Sequence, residues 1–453
     1  MTKTGKLPIS NALTSFNGVS STAEIYYSAK QVSKVYHLPT SIEKKKEEET
    51  RSALDTVIER CRDFFFREQL PEGYWWAELE SNCTITAEYI MLFHFLGIVK
   101  KEREKKMANY LLSKQTSEGF WTIYYGGPGD LSTTVEVYFA LKLAGYSAEH
   151  PAMVKARDFI LKKGGIIKCR VFTKIFLALF GEFAWFGVPS MPIELMLVPN
   201  WFFVNMYELS SWSRATIIPL SIVMTERPVR KLPPWARVQE LYVRPPRPTD
   251  YTFTKEHGIL TWKNIFIGVD HMLKVYEGNP FRPLKKKAMA TAEKWVLDHQ
   301  EPTGDWGGIQ PAMLNSILAL HCLGYANDHP AVEKGLEALA NFCIENDDEL
   351  VLQSCISPVW DTALAIKALG DSGVPSDHPA LVKAGQWLLN GEVRIKGDWR
   401  IKSPELEPGG WAFEFKNDHY PDVDDSGFVM LAIKDLKTRG EKAKNEAIRR
   451  GIE

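Results

Sequence analysis

Three carboxylates, Asp422, Asp424 and Asp425, crowd into four positions just ahead of the apolar run "SGFVMLAI". Like charges so close together cannot all ionise, so the group holds a cation, caps a helix or keeps at least one proton at neutral pH. A calcium loop wants more oxygen ligands along a longer stretch with a glycine inside, which leaves the cap and the acid. A carboxylic acid that keeps its proton can act as a general acid. Fourteen tryptophans in 453 residues are the outlying count of the composition, and aromatic faces stabilise positive charge without an atom that captures it.

The elements that must position these groups come from a repeat. "HPAMVKARDFI" begins at His150, "HPAVEKGLEAL" at His329 and "HPALVKAGQWL" at His378. Each outer helix of this kind is expected to lead to a turn of form QxxxGxW: "QLPEGYW" (Gln69 to Trp75), "QTSEGFW" (Gln115 to Trp121) and "QEPTGDW" (Gln300 to Trp306), with "EVRIKGDW" (Glu392 to Trp399) as a degenerate fourth copy. The glycine supplies a turn conformation closed to other residues, and the Gln amide and Trp ring join one repeat to the next. Inner helices then follow in stretches starting at Ser132, Leu314, Trp360 and Asp424, each with a short polar residue at or next to its start and apolar residues following at helical spacing. In this register Asp425 and Ser426 stand where Asp361 and Thr362 stand, so capping accounts for the last carboxylate and leaves Asp422 and Asp424 unexplained.

Rings of such hairpins make an all-α fold of α/α barrels. The expected organisation is a mobile leader (1–50), a first barrel domain (51–350) and a partial second one (351–453), with a Pro-rich ordered insertion at 226–250. Fifty-five basic against 56 acidic residues give no reason to expect nucleic acid as partner. Six dispersed cysteines without a Cys-x-x-Cys pair, and no apolar leader, fit a reducing cytosolic compartment. Two greasy stretches, Lys174 to Pro189 and Met191 to Trp212, are cut by Pro or Glu before the length a spanning helix needs. They read either as core helices or as an apolar surface resting on one leaflet.

The QxxxGxW turns, "PDVDD" (Pro421 to Asp425), "SPVWDT" (Ser357 to Thr362), "GDWGGIQP" (Gly304 to Pro311) and "SSWSRATIIPLSIV" (Ser210 to Val223) together resemble the squalene-hopene cyclases, from about Leu54 to the last residue. The resemblance implies two α/α barrels, monotopic attachment to the cytoplasmic side of the cell membrane, and cyclisation of squalene to hopene and hopanol without metal or cofactor. It also implies Asp424 as proton donor, Asp422 and Asp425 as its support, and Trp360 and Asp361 beside the acid. Trp212, Phe413, Trp306 and Trp360 are the candidate cation-facing aromatics. Gln310, Pro311, Glu88 and Glu136 match positions in the water network near termination. Trp75, Trp121 and Trp399 are read as structural, and Trp306 as divided between the two roles.

The chain departs from the family where "KAKNEAIRRGIE" (Lys442 to Glu453) starts an outer helix whose turn does not follow. The expectation is a solvated half-site with little activity by itself, either an incomplete gene product or one half of a split enzyme whose separate partner chain carries the missing repeats; a homodimer is a further partner expectation. Other readings are a class II diterpene or sesquarterpene cyclase and a non-catalytic α/α scaffold. A zinc prenyltransferase subunit would need an Asp, Cys and His cluster that the sequence does not announce.

Overall fold

The structure, a computed structural model, describes residues 41–453 apart from 246, 248–250, 252–254, 259, 260 and 439, and describes side chains from residue 50 onward. Most of the expected leader and part of the Pro-rich insertion lie outside the described residues. The chain divides into two compact units, Met1–Phe64 and Phe65–Glu453. What is described of the first is part of one helix, α1 (Ser41–Glu68), whose side chains from residue 50 to residue 64 are mostly exposed.

The second unit is built from helical hairpins. Its helices are α2 (Thr84–Leu96), α3 (Lys101–Ser113), α4 (Leu131–Leu143), α5 (Pro151–Lys162), α6 (Val171–Leu179), α7 (Ser211–Glu226), α8 (Trp262–Gly278), α9 (Lys285–Asp298), α10 (Gln310–Cys322), α11 (Pro330–Asn341), α12 (Pro358–Asp371), α13 (Pro379–Asn390), α14 (Val423–Ile433) and α15 (Glu441–Ile452). A short antiparallel hairpin of Cys343–Glu345 and Leu350–Leu352, which the sequence reading did not include, follows α11. The buried apolar residues fall into two clusters, one running from Cys83 to Leu352 and the other joining Trp75 to residues between Val359 and Ala447.

The HPA repeat acts as one part used three times. His150, His329 and His378 are N-caps whose Nδ1 accepts from the amide two residues on, and the proline takes the first helical position, where its missing N–H costs nothing. From each histidine the residues three, six and ten positions on face the core: Met153, Ala156 and Ile160; Val332, Gly335 and Leu339; Leu381, Ala384 and Leu388. Inner helices are wrapped by protein instead. In α4 every residue from Ser132 to Leu143 is buried, and inner helices pack in pairs, α2 on α4, α7 on α10 and α12 on α14.

The turns carry the joints. Gln69, Gln115 and Gln300 each donate through Nε2 to the carbonyl of their own turn glycine at 2.8, 3.0 and 2.9 Å, and also to the alanine carbonyl of an HPA motif, Ala380, Ala152 and Ala331. The indole N–H of Trp75, Trp121 and Trp306 reaches back 2.7 Å to the carbonyl ten residues earlier. Gly73, Gly119 and Gly304 sit at φ of +112°, +91° and +94°, where a side chain would also overlap Lys383, Lys155 and Lys334 of the adjoining outer helix.

The fourth joint differs from the sequence reading. The tryptophan that donates at 2.7 Å to the preceding helix, at Leu388 O, is the fully buried Trp411, and the Trp399 indole nitrogen has no such partner. Val393 N bonds Gly410 O as Glu301 N bonds Asp305 O in the third turn, so the turn is split by the segment 394–408, on which Trp399 rides. Glu392 replaces the glutamine, and its carboxylate takes both Nε and Nη2 of Arg450 at 2.8 Å.

Candidate active site

α14 opens on its acids. Asp422, not Asp425, is the N-cap: its Oδ1 accepts from Asp424 N at 2.8 Å and Asp425 N at 3.3 Å. The sequence reading started the inner helices too late, since α14 begins at Val423 and α12 at Pro358. Ser426 and Thr362 stand inside the first turns, where their hydroxyls accept the backbone N–H of Trp411 and Trp75, as Thr134 does for Trp121. The shared register of Asp425–Ser426 and Asp361–Thr362 survives; the function assigned to it does not.

Asp425 therefore has no capping duty. It is 2% exposed, with Oδ1 free of hydrogen bonds. Burial first, then the neighbouring Asp422 and Asp424, push its carboxyl up to about 7, so it retains a proton in near-neutral water. Asp424 is exposed and Asp422 partly so. Asp361 Oδ2 accepts from Ala77 N and Ser357 Oγ, both at 3.0 Å, and burial raises its carboxyl as well. Trp360, half-buried in the same turn of α12, meets Phe428 of α14 at 5.2 Å between ring centroids.

A second group surrounds a cavity of about 480 Å³ between α2, α4, α6, α7 and α10. Trp212, Pro311, Glu88 and Glu136 line it, and Gln310 reaches Glu88 Oε2 through Nε2 at 3.0 Å. Burial, then the charge of Glu136, raises Glu88 well above the carboxylate range; burial also pushes Glu136 up to about 7 although Thr173 donates its hydroxyl to Oε1. Burial thus favours the protonated form of both glutamates, in a cavity that Asn82, Thr84, Arg170 and Asn315 also line. Phe413 meets the Trp212 ring edge-on at 5.9 Å, while Trp306 is a fully buried turn tryptophan whose ring a side chain at Gly335 would overlap. The three aspartates of α14 are not among the residues lining this cavity.

Sequence reasoning missed several contributors. Arg170 lines the cavity, contacts Thr133 and Asp130, and lowers both glutamates electrostatically. Glu414 is buried with both carboxylate oxygens unpaired, and burial and Asp305 raise it well above the usual range; Asp425 also acts on it. The one signal for Glu414 was its place in "WAFEF", where a charge interrupts an aromatic run.

The squalene-hopene cyclase N-terminal domain family matches residues 58–348 and the C-terminal domain family residues 356–453. A squalene–hopene cyclase of Alicyclobacillus acidocaldarius is 43% identical over 399 residues, covering 87% of this chain and 62% of that protein. A dammaradiene synthase of Dryopteris crassirhizoma is 43% identical over 404 residues, covering 88% and 58%. A squalene–hopene cyclase of Zymomonas mobilis is 37% identical over 412 residues, covering 87% and 62%. The chain spans about three fifths of the length of these curated relatives, at 62%, 58% and 62%. Acid cluster, aromatic lining, turn chemistry and sequence agree: this chain belongs to the squalene-hopene cyclase family.

Proposed function

We propose that the chain takes part in proton-initiated cyclisation of a linear triterpene, squalene, yielding hopene or hopanol. Asp424 delivers the proton, Asp422 holds its backbone, and Asp425 keeps the cluster supplied with a proton. Trp360, Trp212 and Phe413 face the travelling cation, and the Glu88–Glu136–Gln310 group governs the final deprotonation or hydration. The observation that carries this reading is the buried Asp425 carboxyl, raised to about 7 beside two further aspartates, on the helix whose Phe428 ring meets Trp360.

Only a dry acid protonates an alkene, and Asp424 is exposed in this chain. Purified chain supplied with squalene in detergent should therefore give no cyclised product. A chain extended to the full length of a relative such as the Alicyclobacillus acidocaldarius cyclase, of which this chain covers 62%, should give product by gas chromatography and mass spectrometry, and Asp424→Asn should abolish it. Unchanged product from the Asn variant would overturn the acid assignment. A relative at the same 43% identity is a dammaradiene synthase, so the product spectrum is itself part of the test.

Attachment to one membrane leaflet, on the cytoplasmic side, belongs to the same proposal. It is supported by exposed apolar side chains at Trp201 (83%), Phe203 (79%) and Trp262 (76%), and by α8, none of whose residues is buried. No helix among the described residues is long and apolar enough to cross a membrane.

A further inference from the structure

Glu414 lies where two parts of the proposed cyclisation site meet, and no step of the reaction accounts for it. It is 2% exposed, and neither carboxyl oxygen has a hydrogen-bond partner. An ionised carboxylate there would lack every donor it needs, so the neutral acid is the form that fits.

On one side of it runs the aromatic lining. Phe413, the preceding residue, meets the Trp212 ring. The segment that bears Phe413 and Glu414 is tied to the cap of α14, because Asp422 N donates to Trp411 O at 2.8 Å. On the other side is the loop from Trp306 to Gln310. A Cβ on Gly307 would stand 3.8 Å from both Trp212 and Asn417. A Cβ on Gly308 would fall 2.4 Å from Cγ and Cδ of Glu414 and 2.8 Å from Oε1, so the carboxyl rests directly on this glycine. Two residues on, Gln310 N donates to Ser354 O at 2.8 Å and the Gln310 side chain reaches Glu88. The contact between Glu414 and Gly308 therefore sets how the aromatic segment stands against the loop that carries Gln310.

The charged groups acting most strongly on Glu414 are acidic: Asp305 and Glu301 in the third turn and Asp425 in α14. The Cys355 thiol, which Asp361 also influences, is raised in part by Glu414. Asp305 is the member suited to carry charge, since Oδ2 accepts from Thr303 Oγ1 at 2.5 Å and Oδ1 from Gly308 N at 3.2 Å. Lys416, two residues along, is half exposed and lies 3.9 Å from Asp418. A negative charge on Glu414 would thus meet negative charge, beside a cavity of about 240 Å³, lined by Glu414 and Asp305, that has room for water.

We propose, on the cyclase reading of Phe413 and Gln310, that Glu414 is a positioning residue: as a neutral acid packed on Gly308, it holds the segment presenting Phe413 in register with the loop presenting Gln310. Ionisation at alkaline pH parts the two, and the cation-facing and terminating groups lose their relative placement together.

The first arm of the test needs no substrate, so it can fail while the cyclase reading stands. Amide hydrogen exchange of the purified chain is followed by mass spectrometry at about pH 6 and about pH 9, with intrinsic rates corrected for. Peptides covering 304–316 and 409–419 should lose protection by about tenfold or more at the higher pH, while α4 keeps it. Glu414→Gln, the neutral isostere, should stay protected in both peptides at both pH values. Because that variant can fail to fold, Asp305→Asn is measured as well: without the neighbouring charge, the loss should set in at lower pH. No loss in the parent, an equal loss in Glu414→Gln, or an unmoved onset in Asp305→Asn would overturn the proposal. In a chain extended to the full length of a relative, the ratio of hopene to hopanol should change with pH in the parent and not in Glu414→Gln. Equal pH dependence of the ratio would overturn the positioning role, whereas no cyclised product from the extended parent would overturn the cyclase reading and this role with it.

Discussion

At the scale of single residues the informative acid is Asp425. The sequence announced a cluster of three, but not which carboxyl keeps a proton, because that depends on a helix start two or three residues away. With Asp422 as cap, Asp425 turns inward and its carboxyl is raised to about 7, burial being the first cause. A carboxyl raised in the folded state stays protonated between its unfolded value, about 4, and 7, while the unfolded chain ionises. Its contribution to stability is therefore fully present below about pH 4 and is lost as pH rises to 7. Denaturant unfolding at pH 5 and at pH 8 should show Asp425→Asn with a smaller pH-dependent loss than the parent, by about 1–2 kcal/mol after allowance for partial water access. Equal losses in the two proteins would show that Asp425 does not hold its proton in the folded chain.

At the scale of elements the repeat was the most legible part of the molecule, since each HPA and QxxxGxW motif does the same physical work at each occurrence. What failed was local pattern matching at the fourth turn. "KGDW" looks like the other turns, but the joint is made by Glu392 and Val393 meeting Gly410 and Trp411 across an inserted segment. The signal available was "PGGW", whose glycine, Gly409, abuts Arg450 as Gly73 abuts Lys383. Trp411→Ala should remove a fully buried ring and its hydrogen bond, costing about 3–5 kcal/mol, whereas half-buried Trp399→Ala should cost about 1–2 kcal/mol. Thermal melts of the two variants settle the assignment: a larger drop for Trp399→Ala would restore the original reading of the turn.

At the scale of the whole molecule, tertiary partners decide what a sequence stretch means. Of the two greasy stretches, the first is core, with Ile175, Phe176, Leu177, Phe180 and Phe183 buried, while the second exposes Trp201 to Val204. The helix α8 escaped notice because Lys, Asp and His are interleaved with its apolar residues, yet Trp262, Ile265, Phe266, Val269 and Met272 recur at helical spacing and all are exposed. His299 and Asp398, 99 positions apart, could not be paired from sequence at all. The apolar face leads to a specific expectation about membranes. A chain with net charge −1 has no electrostatic pull toward anionic lipid, so binding to vesicles should rest on apolar insertion and persist on neutral phosphatidylcholine in high salt. Replacing Trp262 and Phe266 together by Gln removes two inserted rings, and each tenfold in partitioning corresponds to about 1.4 kcal/mol. Co-sedimentation with neutral vesicles should fall by about tenfold or more, with the melting temperature unchanged because neither side chain packs in the core. Binding that survives the double substitution, or that requires anionic lipid and vanishes in salt, would mean that this face does not meet the membrane.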